Sequence, residues 1–221
     1  METNLAVDGG RYRLLLIRQP ISQCRGPFRC LSILLLMVAA MPVHAGNEII
    51  QRIAFGSCAQ QNKPQPIWRA IDESRPDLFI FSGDNVYADT DDEIRMRASY
   101  RGLASKPGFR APRRRVPLLA TWDDHDFGKN DGGEGFNGKA MAQRVFTDFF
   151  EVPKDDPRCR RPGIYSAHRF GPPGRTVQVV LLDTRYFRRP LKKRWTRYVA
   201  HEDASTTLLG QAQWQWLIDT L

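Results

Sequence analysis

Cysteine is scarce, with four residues in 221, so no disulfide scaffold stands in for a hydrophobic core. Internal repeats are absent, which excludes solenoids and propellers. No low-complexity linker divides the chain after residue 45, and no domain boundary is expected there. The longest apolar run, Leu31 to Ala40, is too short to cross a hydrocarbon core of ~30 Å comfortably. Disordered, collagen-like and coiled-coil readings also fall away, because 42% of the residues are hydrophobic and 10% aromatic, enough to bury a core. At roughly 150 residues per domain, the chain fits one globular domain or part of a larger one.

What the chain has in excess is positive charge, a net +9 from 33 Lys and Arg against 24 Asp and Glu. Five arginines precede the apolar run, and Val43-His44-Ala45 follows it with the small-x-small pattern of a signal-peptidase site. Basic region, apolar core and cleavage pattern make residues 1–45 an export signal. Residues 46–221 are then the mature chain, periplasmic or secreted, where any oxidising environment bears on Cys58 and Cys159. Two readings of that pair exclude each other: one disulfide, or Cys58 held as a thiolate by a metal. Three basic runs, Arg110–Arg115, Arg158–Arg161 and Arg188–Arg197, suit anionic partners or a solvated charged face. Read along the chain, they lack the interleaved aromatic residues of a single-strand-binding groove. The solvated face is therefore preferred, nucleic acid enters only as a substrate, and no membrane partner is expected beyond the export signal.

Residues 49–55 read as a strand running into Gly56-Ser57-Cys58. Ile67, Trp68, Ala70 and Ile71 fall at helical spacing behind Pro64 and Pro66, and Pro76 ends that helix. Leu78 to Phe81 is a short continuous apolar run, as expected of a strand buried on both faces. Asp91 to Leu103 begins with acids suited to a helix N-terminus. Val116 to Trp122 is another buried strand, and Gly128 to Gly138 a long loop. Met141, Val145 and Phe149 make an amphipathic helix. Tyr165–Phe170 and Val177–Leu182 flank a Gly-Pro-Pro-Gly turn as a hairpin, and Gln213–Leu221 reads as the start of a helix. Alternating strands and helices predict an α/β sheet covered on both faces, and the hairpin predicts mixed pairing.

Chemistry-bearing residues follow three of these strands: Cys58; Asp84, Tyr87 and Asp89; and Asp123, Asp124, His125 and Asp126. Residues at the carboxyl ends of neighbouring parallel strands converge on one crevice. Converging carboxylates repel and resist desolvation, so such a site calls for bound cations. Carboxylate, imidazole, phenol and thiol together suit transition metals or zinc more than magnesium alone. Asp84 is the natural bridge between two metals. Taken singly, an Asp after Gly is often a turn former, and Asp89–Glu93 reads as helix capping.

The segments Ile53–Cys58 (IAFGSC), Phe81–Asp89 (FSGDNVYAD), Leu118–Asp131 (LLATWDDHDFGKND), Val179–Arg185 (VVLLDTR) and Leu208–Leu217 (LLGQAQWQWL) together resemble the PhoD-like alkaline phosphatase/phosphodiesterase family of the calcineurin-like metallophosphoesterase superfamily. The resemblance runs over residues 50–221. It implies an αββα sandwich with mixed sheets, export, and hydrolysis of phosphate mono- and diesters by a monomer. It further implies Cys58 and Tyr87 on a ferric ion, Asp84 bridging, and Asp124 on a second, divalent ion (Ca, Mn, Zn or Fe). His125 is implied as the catalytic residue near the leaving oxygen, as proton donor or as stabiliser of the transferring phosphoryl group, with Arg185 as a phosphate-binding or structural arginine and Asn85 and Asn130 orienting substrate oxygens. The family's second set of His and Asp ligands has no match, so the chain is expected to be the N-terminal portion of the fold, weakly active or inactive alone. A non-catalytic metal- or polyanion-binding remnant and a nuclease-like phosphodiesterase are the alternatives.

Overall fold

Three short apolar segments, β1 (Ile53–Gly56), β2 (Leu78–Ser82) and β3 (Leu118–Thr121), pair in parallel in the order β1-β2-β3. The register sets Ala54 beside Phe79 and Ile80 beside Leu119. This computed structural model describes residues 48–221 except 202, 204 and 205. The expected export signal of residues 1–45 lies outside the described residues.

Connections between parallel strands must cross over, and helices supply the cover. The helix α1 (Ile67–Glu73) carries Trp68 onto Phe79 and Phe81, which share one face of β2. Between β2 and β3 come α2 (Glu93–Ala104) and α3 (Pro107–Arg113). Asp92 caps α2 by accepting from the amides of Ile94 and Arg95. Phe109 of α3 joins the Trp68–Phe81 cluster. The helix α3 was not expected, because its PGFRAPR sequence reads as a Pro-broken basic run. Pro107 at the first helical position removes only an N–H that would be unpaired anyway.

After β3 a single turn, α4 (Asp124–Phe127), leads to the glycine-rich loop and to α5 (Lys139–Phe149). Val145 and Phe146 of α5 are buried, with Phe146 against Trp122 and Phe150. Burying such side chains stabilises the fold by about 1.5–3 kcal/mol each. Gln143, also buried, donates to the carbonyls of Arg158 and Arg161 and accepts from Gly163, which ties the following loop to α5.

The hairpin is β4 (Ser166–Phe170) and β5 (Val177–Leu181), antiparallel as expected. Parallel and antiparallel pairing are thus both present, in separate sheets. A second hairpin, β6 (Lys192–Arg194) and β7 (Arg197–Val199), occupies the basic run that reads as a charged loop. The last helix, α6 (Gly210–Thr220), packs Trp216 on Tyr165 and its Thr220 carbonyl on Gln178. No helix among the described residues is long and apolar enough to cross a membrane.

Candidate metal centre

The ends of β1, β2 and β3 deliver Cys58, Asp84 and the Asp123–His125 segment to one place. Parallel in-register pairing makes this unavoidable, since Ser82 lies beside Thr121 and Gly56 beside Phe81. The turns interlock: Cys58 N donates to the Gly83 carbonyl at 3.3 Å and Ala59 N to the Asp84 carbonyl at 2.9 Å. Gly83 sits at φ +114, and a Cβ there would lie 2.6 Å from that of Asp123. Only glycine lets the two acidic turns approach this closely.

Cys58 (φ 60), Asp84 (φ 50), Asp89 (φ 43) and Asp131 (φ 55) all occupy left-handed backbone. Non-glycine residues there are strained, and such strain gathers at functional sites.

Donor atoms of Asp84, Asp124 and His125 lie within 4.8 Å of one another. Cys58 Sγ is 3.6 Å from Asp84 Oδ2, and both groups act on the Tyr87 hydroxyl. The two carboxylates differ in electrostatics. Burial pushes the Asp84 carboxyl above the usual range, and neighbouring Asp123 and Asp124 add to it. Burial acts the same way on Asp124, but the Asp131 N–H at 2.6 Å and the Arg185 guanidinium outweigh it and hold its carboxyl below that range. Burial, then the Cys58 hydrogen bond, raises the Tyr87 phenol. A cation among these groups would relieve the Asp84 repulsion and draw the proton from the phenol.

His125 stands over Tyr87 with ring centroids 4.2 Å apart. Its Nδ1 meets Asp89 Oδ2 at 2.7 Å, which leaves Nε2 for a substrate proton or a metal. The Asp89–Glu93 run therefore divides: Asp92 caps α2, and Asp89 orients the histidine.

Arg185 Nε donates to Asp123 Oδ1 at 2.5 Å, with Nη2 3.6 Å from Asp124 Oδ1. Its Nη1 is buried without a partner, as is Nε of neighbouring Arg188. Burial and the Arg185 charge lower the Arg188 pKa. Two close guanidiniums with spare donors favour an anion between them.

Asn85 does not fit its expected role. It is fully buried, and its amide donates to the Thr121 carbonyl at 2.9 Å and to Asp126 at 2.5 Å. It lies beneath the site, its donors consumed inside the protein. Asn130 is exposed and borders a cavity of ≈ 400 Å³ between the glycine-rich loop and the second hairpin. Cys58 and Cys159 are both free, so the disulfide reading fails. Cys159 Sγ instead lies 3.5 Å from the Pro153 carbonyl.

Two buried acids hold the site: Asp126, which sequence reasoning grouped with the strand-end acids without a role, and Asp183, which it passed over. Asp126 accepts from Asp123 N at 2.8 Å and from Asn85 N at 3.2 Å, joining the two acidic turns. Asp183 accepts from Trp122 Nε1, Ile164 N, Arg185 N and Tyr186 N, and so sets Arg185 in place. The signal was an acid at the end of an apolar strand, which resembles any turn former.

A search of curated proteins finds no match. A solved structure entitled "Structure of PhoD" is similar at a TM-score of 0.58 and 20% identity, over 80% of this chain and 40% of that one. The chain thus spans well under half of that structure's length, and the likeness concerns the fold. A family model described as PhoD-like phosphatase matches residues 53–221, which is most of the chain. By that match, the protein whose strand ends gather these acids belongs to the PhoD-like phosphatase family.

Proposed function

We propose that the Cys58–Asp84–Tyr87–Asp124–His125 centre binds two cations and hydrolyses phosphate mono- and diesters, in an exported, monomeric protein. The observation that carries the reading is the convergence of a thiol, a phenol and two carboxylates beside guanidinium donors that no protein acceptor uses. The donors divide by hardness and charge. Cys58 and Tyr87 with Asp84 suit a ferric ion, and Asp84 with Asp124 suits a divalent neighbour, Ca, Mn, Zn or Fe. When bound, the cations supply Lewis acidity that activates a water and neutralises charge at phosphorus.

The chain's own residues do the rest. Arg185, with Nη2 3.6 Å from Asp124 Oδ1, and neighbouring Arg188 bring positive charge to the phosphoryl oxygens, and hydrogen bonds to Asp123 and to the Asp131 and Gly132 carbonyls fix the two guanidiniums. Asp89 holds His125 by Nδ1, so that Nε2 carries the proton toward the departing ester oxygen. A general acid placed in this way is worth about 10²–10⁴-fold in rate.

Metal analysis and visible absorption of the purified chain test the reading, together with hydrolysis of p-nitrophenyl phosphate and its bis-ester. A phenolate-to-iron absorption band lost in Tyr87→Phe, with hydrolysis lost in Asp84→Asn, is the expected result. A colourless protein with negligible bound metal overturns it. Tight metal binding with no turnover, unchanged in His125→Ala, would instead support a non-catalytic metal-binding role.

A further inference from the structure

The β6–β7 hairpin stands beside the site loop rather than in it. Cross-strand partners share a face of an antiparallel pair. Lys193 and Tyr198 are partners on one face, with Lys193 Nζ 4.6 Å from the tyrosine ring centroid. Tyr198 Oη donates to Asp131 Oδ2 at 2.5 Å, and Asp131 N donates to the candidate ligand Asp124. That face is anchored to the metal centre. The other face holds Lys192, Arg194 and Arg197, all exposed. None of the three has a carboxylate partner among the described residues.

Two features of this outer face work against stability. Arg194 and Arg197 are direct cross-strand partners, and like charges so placed repel. The two-residue turn between them begins with Trp195 at φ 59, a position where glycine is the strain-free residue. The indole so held is 94% exposed. The interleaved aromatic residues that the linear reading of the basic runs missed are therefore present here, at the tip and on the anchored face.

We propose that this hairpin is a docking arm for single-stranded nucleic acid, with phosphates along Lys192, Arg194 and Arg197 and a base stacked on Trp195. Charge complementarity and one flat exposed ring are the two elements of single-strand binding. A phosphate between Arg194 and Arg197 removes their repulsion. An anionic membrane is the poorer occupant, since one indole offers little apolar area to insert. The inference deepens the phosphoesterase reading and rests on it for the fate of the bound strand: two hydrogen bonds, Tyr198 to Asp131 and Asp131 to Asp124, tie the opposite face of the arm to the metal centre.

The test is fluorescence anisotropy of a labelled oligothymidylate with the full chain, in chelator so that no turnover occurs. Affinity should fall steeply between about 50 and 200 mM salt, with a log–log slope near −2 for three phosphates at ~0.7 each. Trp195→Gly should weaken binding roughly tenfold at unchanged slope, and Trp195→Phe should retain most of it. Glycine suits the positive φ, so the glycine variant should melt no lower than the parent, which separates recognition from folding. Lys192→Glu with Arg194→Glu should flatten the slope. Salt-independent binding, indifference to Trp195→Gly, or preference for phosphatidylglycerol vesicles over the oligonucleotide overturns the proposal. Hydrolysis of p-nitrophenyl phosphate without oligonucleotide binding would sink the docking arm alone, and binding without hydrolysis would sink the catalytic reading alone.

Discussion

At the scale of single residues, the site depends on acids that touch no substrate. Asp126 is buried beneath Asp84 and Asp123 and accepts from amides of both turns. Burial drives its carboxyl far above the usual range, yet each contact uses it as an acceptor. Asp126→Asn places an amide N–H against some of those donors and loosens the turns. We expect cation affinity to fall about 10–100-fold, read by isothermal titration, although Asp126 offers no ligand atom. His125 makes the opposite case, with its ring held by Asp89 and its free nitrogen toward chemistry. In His125→Ala, kcat for p-nitrophenyl phosphate should drop about 10²–10⁴-fold with bound metal largely retained. Parallel loss of metal would make His125 a ligand instead.

At the scale of elements, α5 and the β5–α6 junction carry the packing. Phe146 is fully buried against Trp122 and Phe150. Phe146→Ala should cost about 3–5 kcal/mol, visible as a lower urea midpoint at unchanged slope. At the junction, Asp183 and Gln213 are both fully buried and answer each other. Gln213 accepts from Asp183 N and donates to its carbonyl, both at 2.8 Å, while the Asp183 carboxylate takes Trp122 Nε1–H and three backbone amides. Asp183→Asn sets an N–H against at least one of these donors. A loss of about 2–3 kcal/mol is expected, and the melting temperature with and without phosphate would also report a displaced Arg185. These elements show what could be read in advance. The apolar stripe of α5, the LFIF run of β2 and the Gly-Pro-Pro-Gly turn each follow from local period and turn chemistry. Helix α3 and the β6–β7 hairpin escaped, because prolines and charge hide the one, and the other lacks an apolar face.

At the scale of the whole molecule, stability is tied to pH through a group outside the site. His168 on β4 lines a cavity with Leu118, Phe146, Arg158 and Phe170. Burial and the Arg158 charge lower its pKa to about 4, against 6.5 for a free imidazole. Its neutral form is the one that fits. The contribution is complete above pH 6.5 and is lost as pH falls through about 4, because only the unfolded chain takes the proton in that window. Denaturation midpoints should therefore fall between those pH values, and His168→Gln should fall less. Equal falls in both would exclude His168 as the cause.

The sequence by itself determined which chemical groups end the three strands, because strand, turn and helix are local properties and a residue's place at a strand end is written in its neighbours. From that came Cys58, Asp84, Tyr87, Asp89 and the Asp123–Asp126 segment as residues facing one crevice, and the structure sets Cys58, Asp84, Asp124 and His125 close together there; the roles given to individual residues came from the family resemblance. The tertiary structure decided which groups answer one another across the chain. Asn85 turned inward to Asp126, forty-one residues away, and Asp89 went to His125 rather than to a helix cap. Arg185 closed on Asp123, and Trp195 was lifted into solvent at the end of a charged hairpin. Those choices rest on register, close approach at Gly83 and the desolvation of buried acids, none of which has a period or a motif along the chain.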